Sequence, residues 1–177
     1  VRIVAGELGG RRLWAPRGRR LRPTADRVRE AIFSILGDVA GAAVLDLYSG
    51  TGALGIEALS RGAARATLVD TDTAAARRNL ATLGLEGRAE VVRGDALRFL
   101  RDDSQAGPYD LVFCDPPYRL ASRIEQDLAT LIPPRLGPSA RVIVESAARE
   151  PIRLSLPVLT ERRYGDTAVT VYGGNPS

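Results

Sequence analysis

No histidine occurs in this chain, and no lysine. The first absence removes the usual general base and the commonest zinc ligand, and the single cysteine, Cys114, has no partner for an internal disulfide. Metal-dependent and catalytic-triad chemistries are therefore not expected, and no residue is assigned to a metal. The second absence leaves arginine to supply all 25 basic side chains, so an arginine at any one place carries no message about bidentate recognition. Long apolar runs are missing too: none approaches the ~18 residues that cross a membrane. The opening V-R-I-V-A-G-E-L-G-G lacks the apolar core of a signal peptide, and a cytoplasmic location is expected. What remains, 177 residues with 45% hydrophobic content, is ample for one domain with a substantial core.

The charge is unevenly spread. Residues 1–30 hold nine arginines against three acids, a net +6, while the whole chain carries +4, which leaves −2 for the rest. A near-neutral body with a concentrated basic stretch is the footprint of a nucleic-acid binder, whereas a solvated surface mixes its signs. Within that stretch residues 2–5 and 11–14 read as two short strands joined through Gly9-Gly10, an N-terminal β-hairpin extension. Arg11, Arg12, Arg17, Arg19, Arg20 and Arg22 are the candidate nucleic-acid contacts, which the resemblance described below makes RNA contacts. Trp14 is read as anchoring the hairpin to the body rather than stacking on a base. The division that follows is a basic arm at 1–22 and a second unit at 23–177, which starts with a helix over about 25–36 capped by Thr24.

The sequence V-L-D-L-Y-S-G-T-G-A-L-G at 44–55 organises the second unit. A short apolar run of the kind that a buried parallel strand shows stops at Ser49-Gly50-Thr51-Gly52, after which apolar spacing turns helical. Gly50, Gly52 and Gly55 satisfy G-x-G-x-x-G, a pattern that serves dinucleotide pyrophosphates, but Asp46 at the strand end would meet a cation rather than a phosphate. D-x-x-x-G-x-G resembles the first motif of class I S-adenosylmethionine-dependent methyltransferases, whose ligand carries an ammonium and a sulfonium.

Further strands at 66–70, 89–93, 108–114 and 141–145 alternate with helices, and the first three of these carry an acid at or just past their ends. Asp70, chosen over the nearby Asp72, stands about twenty residues past Gly50, where a carboxylate accepts from ribose hydroxyls. Asp95 is placed to accept from an adenine amine. Asp115-Pro116-Pro117-Tyr118 offers acceptors, a fixed backbone and a ring face to a planar base bearing an amine. Cys114 is read as a buried, inert thiol. Runs at 159–164 and 167–172 around Tyr164-Gly165-Asp166-Thr167 form a closing antiparallel hairpin. The fold class is α/β: a doubly wound, mostly parallel, seven-stranded Rossmann-like sheet.

Taken together, R-I-V-A-G near the start, R-P-T-A-D-R-V-R-E-A-I-F at 22–33, D-L-Y-S-G-T-G-A-L-G at 46–55, V-D at 69–70, G-D-A at 94–96 and D-P-P-Y at 115–118 resemble the bacterial small-subunit rRNA guanine-N2 methyltransferase family. The resemblance implies S-adenosylmethionine as donor, held by Thr24, Asp46, Tyr48, Ser49, Gly50, Gly52, Asp70, Asp95 and Ala96. It also implies catalysis at Asp115, Pro116, Pro117 and Tyr118 on one guanine of 16S rRNA, free or within a partly assembled small subunit, by a monomer. The alternative is an adenine-N6 methyltransferase, which shares D-P-P-Y but on DNA usually carries an added recognition domain. A nicotinamide oxidoreductase leaves Asp46 and D-P-P-Y without a role, and a non-catalytic RNA-binding module accounts only for the basic stretch.

Overall fold

A computed structural model of the chain describes residues 1–17, 23–105 and 107–174, the side chains of Pro23 and Thr24 excepted. Arg19, Arg20, Arg22 and the Thr24 side chain, all assigned above to ligand binding, lie outside the described residues. The elements are α1 (Pro23–Leu36), β1 (Ala43–Leu47), α2 (Ala53–Ser60), β2 (Arg65–Asp70), α3 (Ala74–Leu83), β3 (Ala89–Arg93), α4 (Ala96–Arg101), β4 (Tyr109–Cys114), α5 (Ala121–Leu131), β5 (Leu136–Ala147), β6 (Val158–Tyr164) and β7 (Thr167–Gly173).

Seven strands form one sheet in the order β3-β2-β1-β4-β5-β7-β6. The first five run parallel, and β7 and β6 add antiparallel at one side. β1 is central and all five of its residues are buried, as expected of a strand covered on both faces. Strand alternation divides the core in two. Val44, Leu68, Phe113 and Ile143 pack beneath α1, α2 and α3, whereas Leu45, Val112, Cys114 and Val144 pack beneath α4, α5 and residues 152–156. In α1, Val28, Ile32, Phe33 and Leu36 recur at helical spacing and are buried. Phe33 meets Phe113 with ring centroids 5.7 Å apart, and Arg141 near the start of the sheet-paired part of β5 donates to Leu36 O. Helix α1 therefore lies antiparallel to β4 and β5, its N-terminal half directed toward their carboxyl ends.

β5 begins earlier than the sequence pattern suggests. Its register against β4 slips between Tyr109 and Leu111, and that bulge absorbs Gly137-Pro138 inside the strand. The N-terminal segment departs further. Instead of two strands, the described residues show one antiparallel bridge, Arg2 to Arg12, with Ile3 N–H on Arg11 O and Leu13 N–H on Val1 O beside it. The amides a longer ladder would use go to the body. Val4 and Ala5 donate to the two oxygens of Glu57 at 2.8 and 3.0 Å, Leu8 to Ser60 Oγ at 3.0 Å, and Glu7 to Ser60 O at 2.8 Å. Gly6, at φ 83°, permits this approach: a Cβ there would stand 1.9 Å from Ser60 O. Ile3 and Leu13 join the core under α1.

Glu57, fully buried on α2, is the fastening point. Besides those two amides it accepts from Arg29 Nε at 3.3 Å and Arg61 Nε at 2.9 Å, while Arg29 also reaches Asp26 at 3.1 Å and Arg2 O. One carboxylate thus ties the N-terminal segment to α1 and α2. Removing it takes from the buried Arg29 guanidinium its one fully buried counter-charge and leaves it Arg2 O and the partly exposed Asp26. Glu57→Ala should therefore cost about 3–5 kcal/mol, seen as a lower urea midpoint, and Glu57→Gln should lose less because an acceptor for the amides remains. An unchanged midpoint in Glu57→Ala would refute the fastening.

Candidate cofactor and target site

The turn between β1 and α2 is held by two aspartates. Asp46, 1% exposed, accepts from Gly55 N–H at 2.9 Å, and Asp70 at the end of β2 accepts from Gly50 N–H at 2.8 Å and from Asp72 N–H at 3.0 Å. Gly52, left-handed at φ 82°, precedes α2, and a Cβ there would stand 2.7 Å from Leu68 Cδ2. Tyr48 is also left-handed, at φ 60°, a costly conformation for a non-glycine residue. Its ring packs against the core beneath α4 and α5. Ser49 Oγ, in the same turn, is buried with no hydrogen-bond partner among the described residues. Asp95 caps α4 through Arg98 N–H at 2.9 Å, is exposed, and stands beside the buried Ala96.

D-P-P-Y follows β4 directly. Asp115 is exposed, Pro116 buried, and Tyr118 opens a short 3-10 turn, Tyr118–Leu120. The Tyr118 ring is 45% exposed, and its hydroxyl meets Thr167 Oγ1 of β7 at 3.1 Å. The turn is thus braced against the closing hairpin. Strand register aligns Asp46 with Phe113 and Phe113 with Ile143. Asp115 and Glu145 lie two residues beyond those partners, so all three acids share the face covered by α1. Their proximity is visible in their titration. Burial pushes the Asp46 carboxyl up from 3.8 to about 7, against the Gly55 hydrogen bond and with help from the charges of Asp115 and Asp70. Glu145 is raised to about 8, chiefly by burial, then by Asp115 and Asp46, with Arg29 opposing. Burial likewise pushes the Cys114 thiol up, as for an inert core cysteine.

The donor set decides what ligand fits. Gly50 and Gly55, whose amides a pyrophosphate would need at a helix N-terminus, have both spent them on carboxylates. Four aspartates around one strand edge repel a dianion, and they suit a ligand with hydroxyls, amines and positive charge. The assigned residues of β1, β2, the start of α4 and D-P-P-Y are brought to one edge of the sheet. Arg11, Arg12 and Arg17 are exposed on the N-terminal segment. Sequence reasoning missed Glu145, Thr167 and Asn79. Glu145 was signalled by its place one residue past the Cys114–Val144 pair, but Thr167 and Asn79 had no local signal.

Residues 1–173 match a family model described as conserved hypothetical protein 95. The chain belongs to that family. Ribosomal RNA small subunit methyltransferase D of Escherichia coli K12 is 48% identical over 124 residues, 67% of this chain and 61% of the relative. The matched region is therefore less than two thirds of that relative's length. The protein of the same name from Haemophilus influenzae is 36% identical over 158 residues, 86% of this chain and 81% of the relative. Among solved structures, Escherichia coli yhhF superposes with a TM-score of 0.82 at 38% identity, covering all of this chain and 99% of that one. The fold is the Rossmann-like methyltransferase sheet.

The raised carboxyls have a consequence for stability. A folded state whose Asp46 and Glu145 titrate near 7 and 8 binds more protons than the unfolded chain, with ordinary values of 3.8 and 4.5. Stability then falls as pH rises between those limits. The melting temperature of the ligand-free protein should drop from about pH 5 to about pH 8, and Asp46→Asn, which keeps an oxygen for Gly55, should flatten that drop. A melting temperature that climbs with pH over this range would contradict the placement of these acids.

Proposed function

We propose that the protein transfers the methyl group of S-adenosylmethionine to the exocyclic N2 of one guanine in 16S rRNA. The observation that carries this reading is the D-P-P-Y turn standing on the same strand edge as an acid-lined glycine turn, in a chain whose named relatives are rRNA methyltransferases. S-adenosylmethionine, when bound, supplies an electrophilic methyl on a positively charged sulfur. The chain's own residues do the rest. Asp70 accepts from the ribose hydroxyls, Asp95 and the adjoining Ala96 receive the adenine, and Asp46, Tyr48, Ser49, Gly50 and Gly52 shape the turn beneath. Thr24 contributes from the start of α1. Asp46 acts through the amide of Gly55, since it is buried.

The amine of guanine is conjugated with its ring and must be held out of plane to attack. The Asp115 carboxylate and the Pro116 carbonyl accept its protons and fix its direction, with Pro117 holding the backbone rigid. Tyr118 replaces the stacking partner that the base loses on leaving its helix. No strong base is required: attack of N2 on the methyl breaks the carbon–sulfur bond and leaves a neutral thioether, and the now cationic N2 gives its proton to the Asp115 carboxylate or, through it, to solvent, since Asp115 is exposed. Alignment of two reactants is worth up to ~7–11 kcal/mol and is the main contribution asked of this site. An ionised Asp115 is acceptor-only, which matches the N1–H and N2–H of guanine better than the mixed edge of adenine.

Residues 1–22 are the RNA-contacting segment and 23–177 the methyl-transfer unit, a monomer acting in the cytoplasm on free rRNA or on a partly assembled subunit. No helix among the described residues is long and apolar enough to cross a membrane. Mass spectrometry of rRNA nucleosides from cells lacking the protein should show the loss of one N2-methylguanosine, restored by the wild type and not by Asp115→Ala. Loss of N6-methyladenosine instead would overturn the guanine assignment.

Deleting the N-terminal segment is a poor test of RNA binding, because Ile3 and Leu13 belong to the core. Replacing the exposed Arg11, Arg12 and Arg17 with alanine avoids that damage. For every arginine–phosphate pairing that such a replacement abolishes, the slope of log affinity against log salt should fall by about 0.7–0.9, while calorimetric affinity for S-adenosylhomocysteine stays unchanged. An unaltered slope would place the RNA on another face.

A further inference from the structure

Asn79 lies on α3 and is 2% exposed. Its amide joins two segments that the chain keeps far apart. Oδ1 accepts from Trp14 N–H at 2.7 Å, and Nδ2 donates to Trp14 O at 3.0 Å and to Thr51 O at 3.0 Å. One side chain therefore satisfies both backbone groups of Trp14, as a neighbouring strand would, and spends its other amide proton on a carbonyl of the glycine turn. Trp14 sits between Arg12 and Arg17. Its ring, 39% exposed, is covered by the guanidinium of Arg78, also on α3, at 4.4 Å. The arginine-bearing stretch 11–17 is thus docked on α3 by Asn79 and Arg78.

We propose that Asn79 is a positioning residue that couples the stretch 11–17 to the glycine turn 49–52, so that RNA held by the one strengthens cofactor binding at the other. The inference rests on the functional reading above. Two states of residues 14–17 are at issue, docked on α3 and released from it, while Leu13 stays in the core and Arg12 stays bridged to Arg2 in both. On release, the Asn79 amide loses two of its three hydrogen bonds and with them its fixed orientation, and the Thr51 carbonyl loses its tether. The turn around that carbonyl is also held by Ser49 N–H on Val69 O, Gly50 N–H on Asp70 and Gly52 N–H on Ser49 O, but its tie to α3 is the Asn79 amide, so freeing it loosens the floor of the cofactor site on that side. RNA phosphates that engage Arg11, Arg12 and Arg17 in their docked arrangement favour the docked state, and so does a ligand that needs the turn ordered. Each must then raise the affinity of the other by the same factor.

The test uses the full chain with S-adenosylhomocysteine and a 16S rRNA fragment. The dissociation constant of S-adenosylhomocysteine, measured by calorimetry with and without saturating RNA, should be about fivefold lower with RNA in the wild type. In Asn79→Ala the ratio should fall to near unity while each ligand still binds alone. Asn79→Asp keeps the acceptor for Trp14 N–H and loses both donors, and it should behave in the same way. General loosening of the fold lowers the melting temperature without abolishing the ratio, so a ratio retained in both variants overturns the proposal. If neither variant folds, hydrogen exchange on the wild type decides. S-adenosylhomocysteine should slow exchange at the Trp14 amide, and no change there overturns the coupling. Failure of the wild type to bind either ligand sinks the functional reading itself, whereas binding of both with a ratio of one sinks only the coupling.

Discussion

The turn leaving β1 has to reverse direction within a few residues while keeping its amides satisfied at a buried helix start, and two carboxylates meet that constraint. Asp46 takes the amide of Gly55 and Asp70 takes that of Gly50. Buried amides without partners are rare because each is costly. The acids stitch the turn from below and from the next strand. Much else depends on this. The turn's strain at Tyr48 persists because both its flanks are fixed, and α2 begins where Gly52 leaves it. The same acids set the electrostatics of the edge, so the device that shapes the turn also selects against phosphate and for a cationic ligand.

A second constraint comes from Glu57. A fully buried carboxylate is tolerable only when paired and hydrogen-bonded, and its partners come from the N-terminal segment, α1 and α2. The basic stretch is therefore part of the body for its first fourteen residues, with Ile3 and Leu13 inside and Arg11 and Arg12 outside. Helix α1 is fixed by the same charge through Arg29, which also acts on Glu145. The fastening of the N-terminus and the covering of the target face are one arrangement.

Features written into a few adjacent residues were legible in the sequence. The strand, glycine turn and helix of 44–59, the acids at three strand ends, D-P-P-Y and the closing hairpin each carry their own spacing signal, and the elements match within a few residues. What depends on distant partners was not. Val4 and Ala5 look like strand residues because their pattern is apolar, yet their amides find Glu57 more than fifty positions away. Asn79 reads as one more polar residue on a helix, and only the fold brings Trp14 and Thr51 to it. The early start of β5 needed a bulge opposite Tyr109 that no local pattern announces.

Charge is segregated across the molecule in a way that suits the proposed chemistry. In the proposed reaction, phosphates are repelled by an edge lined by Asp70, Asp95 and Asp115, and the exposed arginines of the stretch 11–17 are offered to them instead. A base is neutral and presents N–H donors, so it alone can enter the acidic site. On that proposal, an RNA would meet two opposite fields: one that holds its backbone away from the strand edge, and one that rewards a single nucleobase for turning toward it. Base extraction carries an unstacking cost, and in the proposed reaction this arrangement would offset it from both ends, by fixing the backbone outside and by offering acceptors and the Tyr118 ring within.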